Sequence, residues 1–221
     1  MVIMSRYSTE HKGETRARIL AASAALMNDR GPEAATVEAV MRAAGLTVGG
    51  FYAHFASKEE LERETLLAGL TASMDRLLAG LDAIADDRVW LATLIRRYLA
   101  QGENPDLEAA CPLTLLLPEV TRGGPAFQGA FAERTGALLD RVSMRFPERP
   151  GLTRRDVALA VFSSCAGAVG FARTVPAPAG RRRILGATER MLDAALGLDG
   201  VGAVIAEPSA ASAGTPAPTA A

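Results

Sequence analysis

The segment TVEAVMRAAGLTVGGFYAHFASKEELE, residues 36–62, confines this chain more than any other feature, because it sets three helix starts within about two dozen residues. Val37, Val40, Met41 and Ala44 fall at i, i+3, i+4 and i+7, one apolar stripe of a helix. Thr36 stands where a side chain caps such a helix, and Glu38 in its first turn complements the helix dipole. Gly45 falls where the chain can leave the helix through the left-handed conformation. A second start follows at once. With Thr47 as N-cap, Leu46 and Phe51 occupy the positions of a hydrophobic staple, and Phe51 and Phe55, four apart, face inward. Val48, Gly49, Tyr52 and His54 are left pointing outward or sideways. Ser57 and Glu60 then have capping-box spacing for a third helix. Two short helices joined by a tight turn are the outline of a helix-turn-helix, whose second helix enters the DNA major groove.

The rest of the chain reads as all-α. Its 221 residues are 49% apolar and only 5% aromatic, and strand-like alternation is scarce. The first helix is expected over about 14–30, with Ile19, Leu20, Ser23, Leu26 and Met27 inward, ending at Gly31-Pro32. After Ser57 the stripe Leu67, Leu70, Met74, Leu77, Leu81 and Ile84 predicts one long helix joining the reading domain to the rest. Further helices are expected near 88–101, 112–122, 125–146, 153–174 and 179–197. The domains divide as 13–73 and 74–200, and the Ala/Pro/Ser/Thr-rich stretch 206–221 is expected to be disordered.

Net charge is −1, so DNA affinity has to come from a local patch. Arg6, Lys12, Arg16 and Arg18 could supply it, the alternative being a solvated, flexible start. No signal-peptide pattern opens the sequence. The longest apolar run, Val157–Ala172, falls short of the roughly 18 residues of a membrane span, so a cytoplasmic protein without membrane contact is expected.

The run GLTVGGFYAHFASKEEL resembles the recognition helix and following helix of the tetracycline-repressor (TetR) class of bacterial regulators. The upstream TRARILAASAALMNDRGPEAATVEAVMRAAG resembles that family's first two helices, so the likeness covers roughly residues 14–67. The resemblance implies a homodimer, usually a repressor, that leaves its operator when a small ligand enters the C-terminal domain. By position in a helix-turn-helix, Thr47 and Val48 are the base-edge candidates, with Gly49, Gly50 and Ala53 alongside. Val48 offers only apolar contact, where many members of the resembled family carry a polar or charged side chain. Tyr52, His54 and Lys58 match the family's phosphate-contacting positions, as does Thr36 at a helix start suited to anions. Ordinary ring packing is the alternative for Tyr52.

The second domain is expected to carry the ligand site and the dimer contact. Thr153 and Asp156 form another capping box, and Ala158, Ala160, Ser163, Ser164, Ala166, Gly167 and Gly170 make the following helix small-sided. The resemblance implies a four-helix interface built by the helices near 153–174 and 179–197, with intramolecular core as the alternative. In the second of them Ile184, Leu185, Thr188, Met191, Leu192 and Ala195 are expected on the buried side, and Arg181-Arg182-Arg183 on a solvated one. Trp90, Leu94, Tyr98, Leu115, Leu116, Phe127, Phe131 and Phe162 are candidates to line a ligand cavity, the alternative for each being plain core. Cys111 precedes Pro112 at a helix start, where the dipole lowers a thiol pKa; it is either a sensor of electrophiles or a small residue closing a turn. Cys165 is expected to be packing.

Catalysis is not expected. No GxSxG, P-loop, HExxH, CxxC or dinucleotide glycine pattern is present, and His11 and His54 alone cannot assemble a metal site. No cofactor is implied. The reading is a ligand-responsive DNA-binding regulator, a repressor holding a palindromic operator as a homodimer and released by a small apolar or electrophilic effector. The alternative is a helical partner-binding protein without specific DNA recognition.

Overall fold

The computed structural model describes residues 3–30, 32–103 and 112–203, and among them it is helical throughout, with one isolated antiparallel bridge between Arg149 and Leu152. Eight α-helices follow in order: α1 Ile3–Arg30, α2 Val37–Ala43, α3 Lys58–Leu78, α4 Asp87–Ala100, α5 Pro112–Arg122, α6 Gly124–Ser143, α7 Arg154–Arg173 and α8 Pro178–Leu196. Helix α1 begins well before residue 14. The added turns have no apolar stripe, and periodicity is blind to such a stretch. The stretch 206–221 and Cys111 lie outside the described residues, as do the side chains of Arg6, Leu115 and Leu116.

Two cores form. The smaller gathers Ile19, Ala35, Val40, Met41, Ala44, Phe51, Phe55 and Leu61. The larger starts at Leu67 and takes the inner faces of the helices that follow, including Trp90, Tyr98, Phe127, Phe146 and Phe162. Helix α3 serves both, giving Leu61 to the first and Leu67, Leu70, Met74, Leu77 and Leu78 to the second. At the boundary Thr65 Oγ1 lies 3.0 Å from Ser23 Oγ of α1 and donates to the Leu61 carbonyl at 2.8 Å. Both hydroxyls are buried, so losing their partners would cost about 1–3 kcal/mol.

The expected rod from Ser57 to Ile84 is shorter than its stripe. Gly80 takes φ +71°, which ends α3 at Leu78. Leu81 reaches the core from a 3₁₀ turn, Leu81–Ala83, and Ile84 packs at its edge. Spacing alone does not detect such a break, because a helix and a helix-turn pair can both bring Leu81 to the same core.

Helix α7 packs against α4, α6 and α8, starting from the reciprocal Thr153–Asp156 capping box. By length and composition α7 could cross a membrane, yet half of its apolar window is buried against its own body. Arg96 of α4 ties down α8, donating to Glu189 at 2.7 Å, Asp193 at 3.2 Å and the Val201 carbonyl at 2.9 Å. On α8 the buried line is Leu185, Leu192 and Leu196. Met191 and Ala195, expected inside, are exposed. They stand about 80–120° around the helix from that line, at 100° per residue, so the apolar stripe is wider than the body covers.

Candidate nucleic-acid interface

The Thr36 hydroxyl caps α2 by accepting from the Ala39 amide at 3.2 Å. Helix α2 ends in a Schellman turn: the Leu46 amide donates to the Met41 carbonyl at 2.8 Å and the Gly45 amide to that of Arg42 at 3.0 Å. Gly45 takes φ +68°, so a Cβ there would be strained. The chain then enters the reading segment through Leu46, half-buried beside the fully buried Phe51.

The reading segment Val48–Ala53 is a 3₁₀ helix, where the sequence predicts an α-helix. The Gly50 amide donates to Thr47 O at 3.0 Å and the His54 amide to Phe51 O at 2.9 Å. Thr47 has the extended backbone of an N-cap but makes no side-chain capping bond. Adjacent Gly49 and Gly50 account for the tightening, since each disfavours an α-helix by roughly 1 kcal/mol relative to alanine. Phe51 and Phe55 point inward as expected, their rings stacked with centroids 5.6 Å apart.

The outward face is open. Val48 is 46% and Tyr52 72% exposed, and a Cβ built on Gly49 meets nothing within 4 Å. The Tyr52 ring stands edge-on to Phe51 with centroids 5.2 Å apart, so it is held at its base and its exposed remainder is available. Lys58 opens α3, its Nζ 2.9 Å from Glu62. Ser57 caps the same helix by accepting from the Glu60 amide at 3.2 Å. The Glu60 carboxylate reaches back to the amide of Ala56 at 2.6 Å, one residue earlier than the capping box predicts.

Two of the four cations expected to supply the phosphate patch are otherwise engaged. Arg16 donates to the His54 carbonyl and the Glu64 carboxylate, lies 3.6 Å from Glu60, and covers the Phe55 ring at 4.1 Å. Arg18 Nη2 donates to the Ala44 carbonyl at 2.5 Å. Lys12 is exposed. So is Arg42, a cation on α2 that sequence reading did not single out and that has no carboxylate partner among the described residues. Nothing in a sequence separates an arginine that serves a carbonyl from one that serves a phosphate.

The effector candidates fall in different places. Trp90, Leu94, Tyr98, Phe127 and Phe162 are buried core, and Phe131 is half-buried at its edge. A cleft of about 210 Å³ opens elsewhere, between α3 and α6, with Leu70, Met74, Ala137 and Leu138 as its apolar lining and Arg134 and Arg141 among its polar residues.

Residues 19–65 match the family model described as bacterial regulatory proteins, tetR family, and no curated protein sequence matches the chain. A TetR-family regulator from Streptomyces coelicolor is 26% identical, with a TM-score of 0.58 over 84% of this chain and 97% of that one. The regulator FadR from Bacillus subtilis, solved with stearoyl-CoA, is 14% identical, with a TM-score of 0.59 over 81% of this chain and 97% of its own. A Saccharomonospora viridis protein described as a putative transcriptional regulator, solved with choline, is 20% identical, with a TM-score of 0.60 over 82% and 95%. Fold and reading segment together define a helix-turn-helix, DNA-binding transcription regulator. Over residues 19–65 the chain is similar to the DNA-binding domain of the tetR family.

His54 titrates in this interface. Burial, then the charges of Lys12 and Arg16, hold its pKa below the ordinary 6.5, and its buried Nδ1 has no hydrogen-bond partner among the described residues. Because the folded pKa is depressed, the unfolded chain takes up the proton first. The imidazole is therefore neutral at pH 7, and stability falls as pH drops below 6.5. The ring resonances of His54 should show an NMR titration midpoint below 6.5, and His54→Gln should remove part of the acid-side decline in thermal midpoint. A midpoint at or above 6.5 would contradict the burial argument.

Proposed function

We propose that the chain is a ligand-responsive repressor that binds a palindromic operator as a homodimer. The observation carrying this reading is the reading segment itself: Val48, Gly49 and Tyr52 face outward with nothing covering them, on a small core of their own. In this reading Thr47 and Val48 meet base edges, and Gly49 and Gly50 admit close approach of the duplex. Tyr52, His54, Lys58 and the start of α2 at Thr36 grip phosphates. A regulator of this kind acts in the cytoplasm and needs no catalytic group or cofactor.

The wild-type protein should enrich an inverted repeat from a pool of randomised DNA duplexes. Changing Val48 to Ser should then alter which sequences are enriched. Lys58→Ala should weaken all duplexes alike and lower the salt slope of log K by up to about 0.9, one phosphate's share. No enrichment by the wild type favours a helical partner-binding protein instead, and equal losses in both variants refute the division between base and phosphate contacts.

The dimer reading rests on the outward faces of α7 and α8. Leu159, Ser163, Gly167 and Phe171 repeat every fourth residue along one exposed side of α7, and Met191 and Ala195 flank α8. Leu159, Phe171 and Met191 are 51%, 65% and 55% exposed, which is apolar area that pairing of two copies would cover. A Cβ on Gly167 meets nothing within the chain. Gly167→Leu should therefore leave the fold intact while a second copy can no longer approach. Sedimentation should report a folded monomer, and an unaltered dimer would exclude this interface.

The effector reading draws on the solved neighbours that hold stearoyl-CoA and choline and on the α3–α6 cleft. A small apolar occupant there would bear directly on α3 and through it on the reading domain. 1-Octanol or toluene should raise the thermal midpoint of the wild type by mass action and weaken its DNA complex. Leu138→Trp should abolish both effects by filling the cleft; effects that survive that change place the effector elsewhere.

A further inference from the structure

The guanidinium of Arg16 has no freedom left to follow a phosphate. One terminal nitrogen donates to the carbonyl of His54, which closes the 3₁₀ reading segment, and the other donates to the Glu64 carboxylate on α3. Its plane covers Phe55 at 4.1 Å, and its side chain is 30% exposed. Two residues along α1, Arg18 Nη2 donates at 2.5 Å to the carbonyl of Ala44, which closes α2. Both elements of the helix-turn-helix thus end on an arginine of α1. Helix ends carry unsatisfied carbonyls and partial negative charge, and guanidinium is the side chain best shaped to meet them while bonding a second group.

We propose that Arg16 and Arg18 are positioning residues of the DNA interface, a double clamp that fixes the reading segment and its turn against α1, and that neither is a phosphate contact. The inference rests on the DNA-reading function proposed above. Arg16 acts through the exit of the segment, between Tyr52 and Lys58, so it sets the spacing of the groups that meet the duplex. Glu64 and Glu60 neutralise its charge locally, which further removes it from the electrostatic patch.

The two roles differ in what they do to salt dependence and selectivity. A phosphate contact tolerates Arg16→Lys, and Arg16→Gln then lowers the salt slope by about 0.9 without changing the ratio of selected to random duplex. The clamp makes the opposite demand, because lysine keeps the charge but cannot bond carbonyl and carboxylate together while covering the ring. Full-length wild type, Arg16→Lys, Arg16→Gln, Arg18→Gln and Glu64→Ala should be titrated with a duplex enriched by the wild type and with a random-sequence duplex of the same length. Measurements run over a salt series, below each variant's thermal midpoint. Arg16→Lys and Arg16→Gln should both lose about tenfold on the enriched duplex, the scale of one or two bonds to a charged donor, with the salt slope unchanged and the selectivity ratio reduced. Glu64→Ala removes a negative charge, which by itself favours DNA, yet selectivity should fall because Arg16 loses its anchor. A reduced slope with Arg16→Gln, or selectivity preserved in every folded variant, overturns the clamp while DNA reading stands. Failure of the wild type to enrich any sequence removes the underlying reading together with the clamp.

Discussion

Helix α3 carries one apolar stripe into two different cores, and the remainder of the molecule is organised by that sharing. Leu61 closes the small core under the reading segment, and six residues later Leu67 opens the large one. Between them Thr65 and Ser23 exchange a buried hydrogen bond, so α1 is bound to α3 where the two cores meet. The reading domain is thus mounted on the same rigid element that the body grips through α4, α5 and α6. Helix α3 runs unbroken from that grip to Lys58 beside the reading segment.

The reading segment shows how a weak local structure is made definite by its surroundings. Val48–Ala53 has two glycines and no side-chain cap, and it is a 3₁₀ helix. What places it is not its own propensity. Phe51 and Phe55 fasten it from below, the Schellman turn at Gly45 fixes its entry, and Arg16 holds its exit. Its outward side is left free of packing duties, which is the condition for a surface that reads another molecule closely.

Charge is distributed on the same logic. The chain is nearly neutral overall, and many of its arginines serve other parts of the protein. Arg141 and Arg155 pair with Asp75 and Asp140 on the body surface. Isolated exposed pairs of this kind contribute little to stability, and their main effect is to keep the surface from being generally basic. In the proposed DNA-reading function, affinity then has to be local, with Lys12, Arg42 and Lys58 the cations near the reading segment that would supply it.

The all-helical class, the positions of most helices and the inward pair Phe51 and Phe55 were legible in the residue order alone. So were the caps at Thr36 and Thr153 and the left-handed turn at Gly45, though not the absence of a capping bond at Thr47. These follow from interactions within a few residues, and short-range spacing records them. That Arg16 and Arg18 serve carbonyls emerges from the folded arrangement, because their partners Ala44, His54 and Glu64 lie far away along the chain. It alone decided that α3 stops at Leu78, since Leu81 satisfies the same core from a turn. The exposure of Met191 and Ala195 belongs there too. Periodicity reports that a helix has an apolar side, whereas how much of that side is covered depends on which neighbours arrive and at what angle.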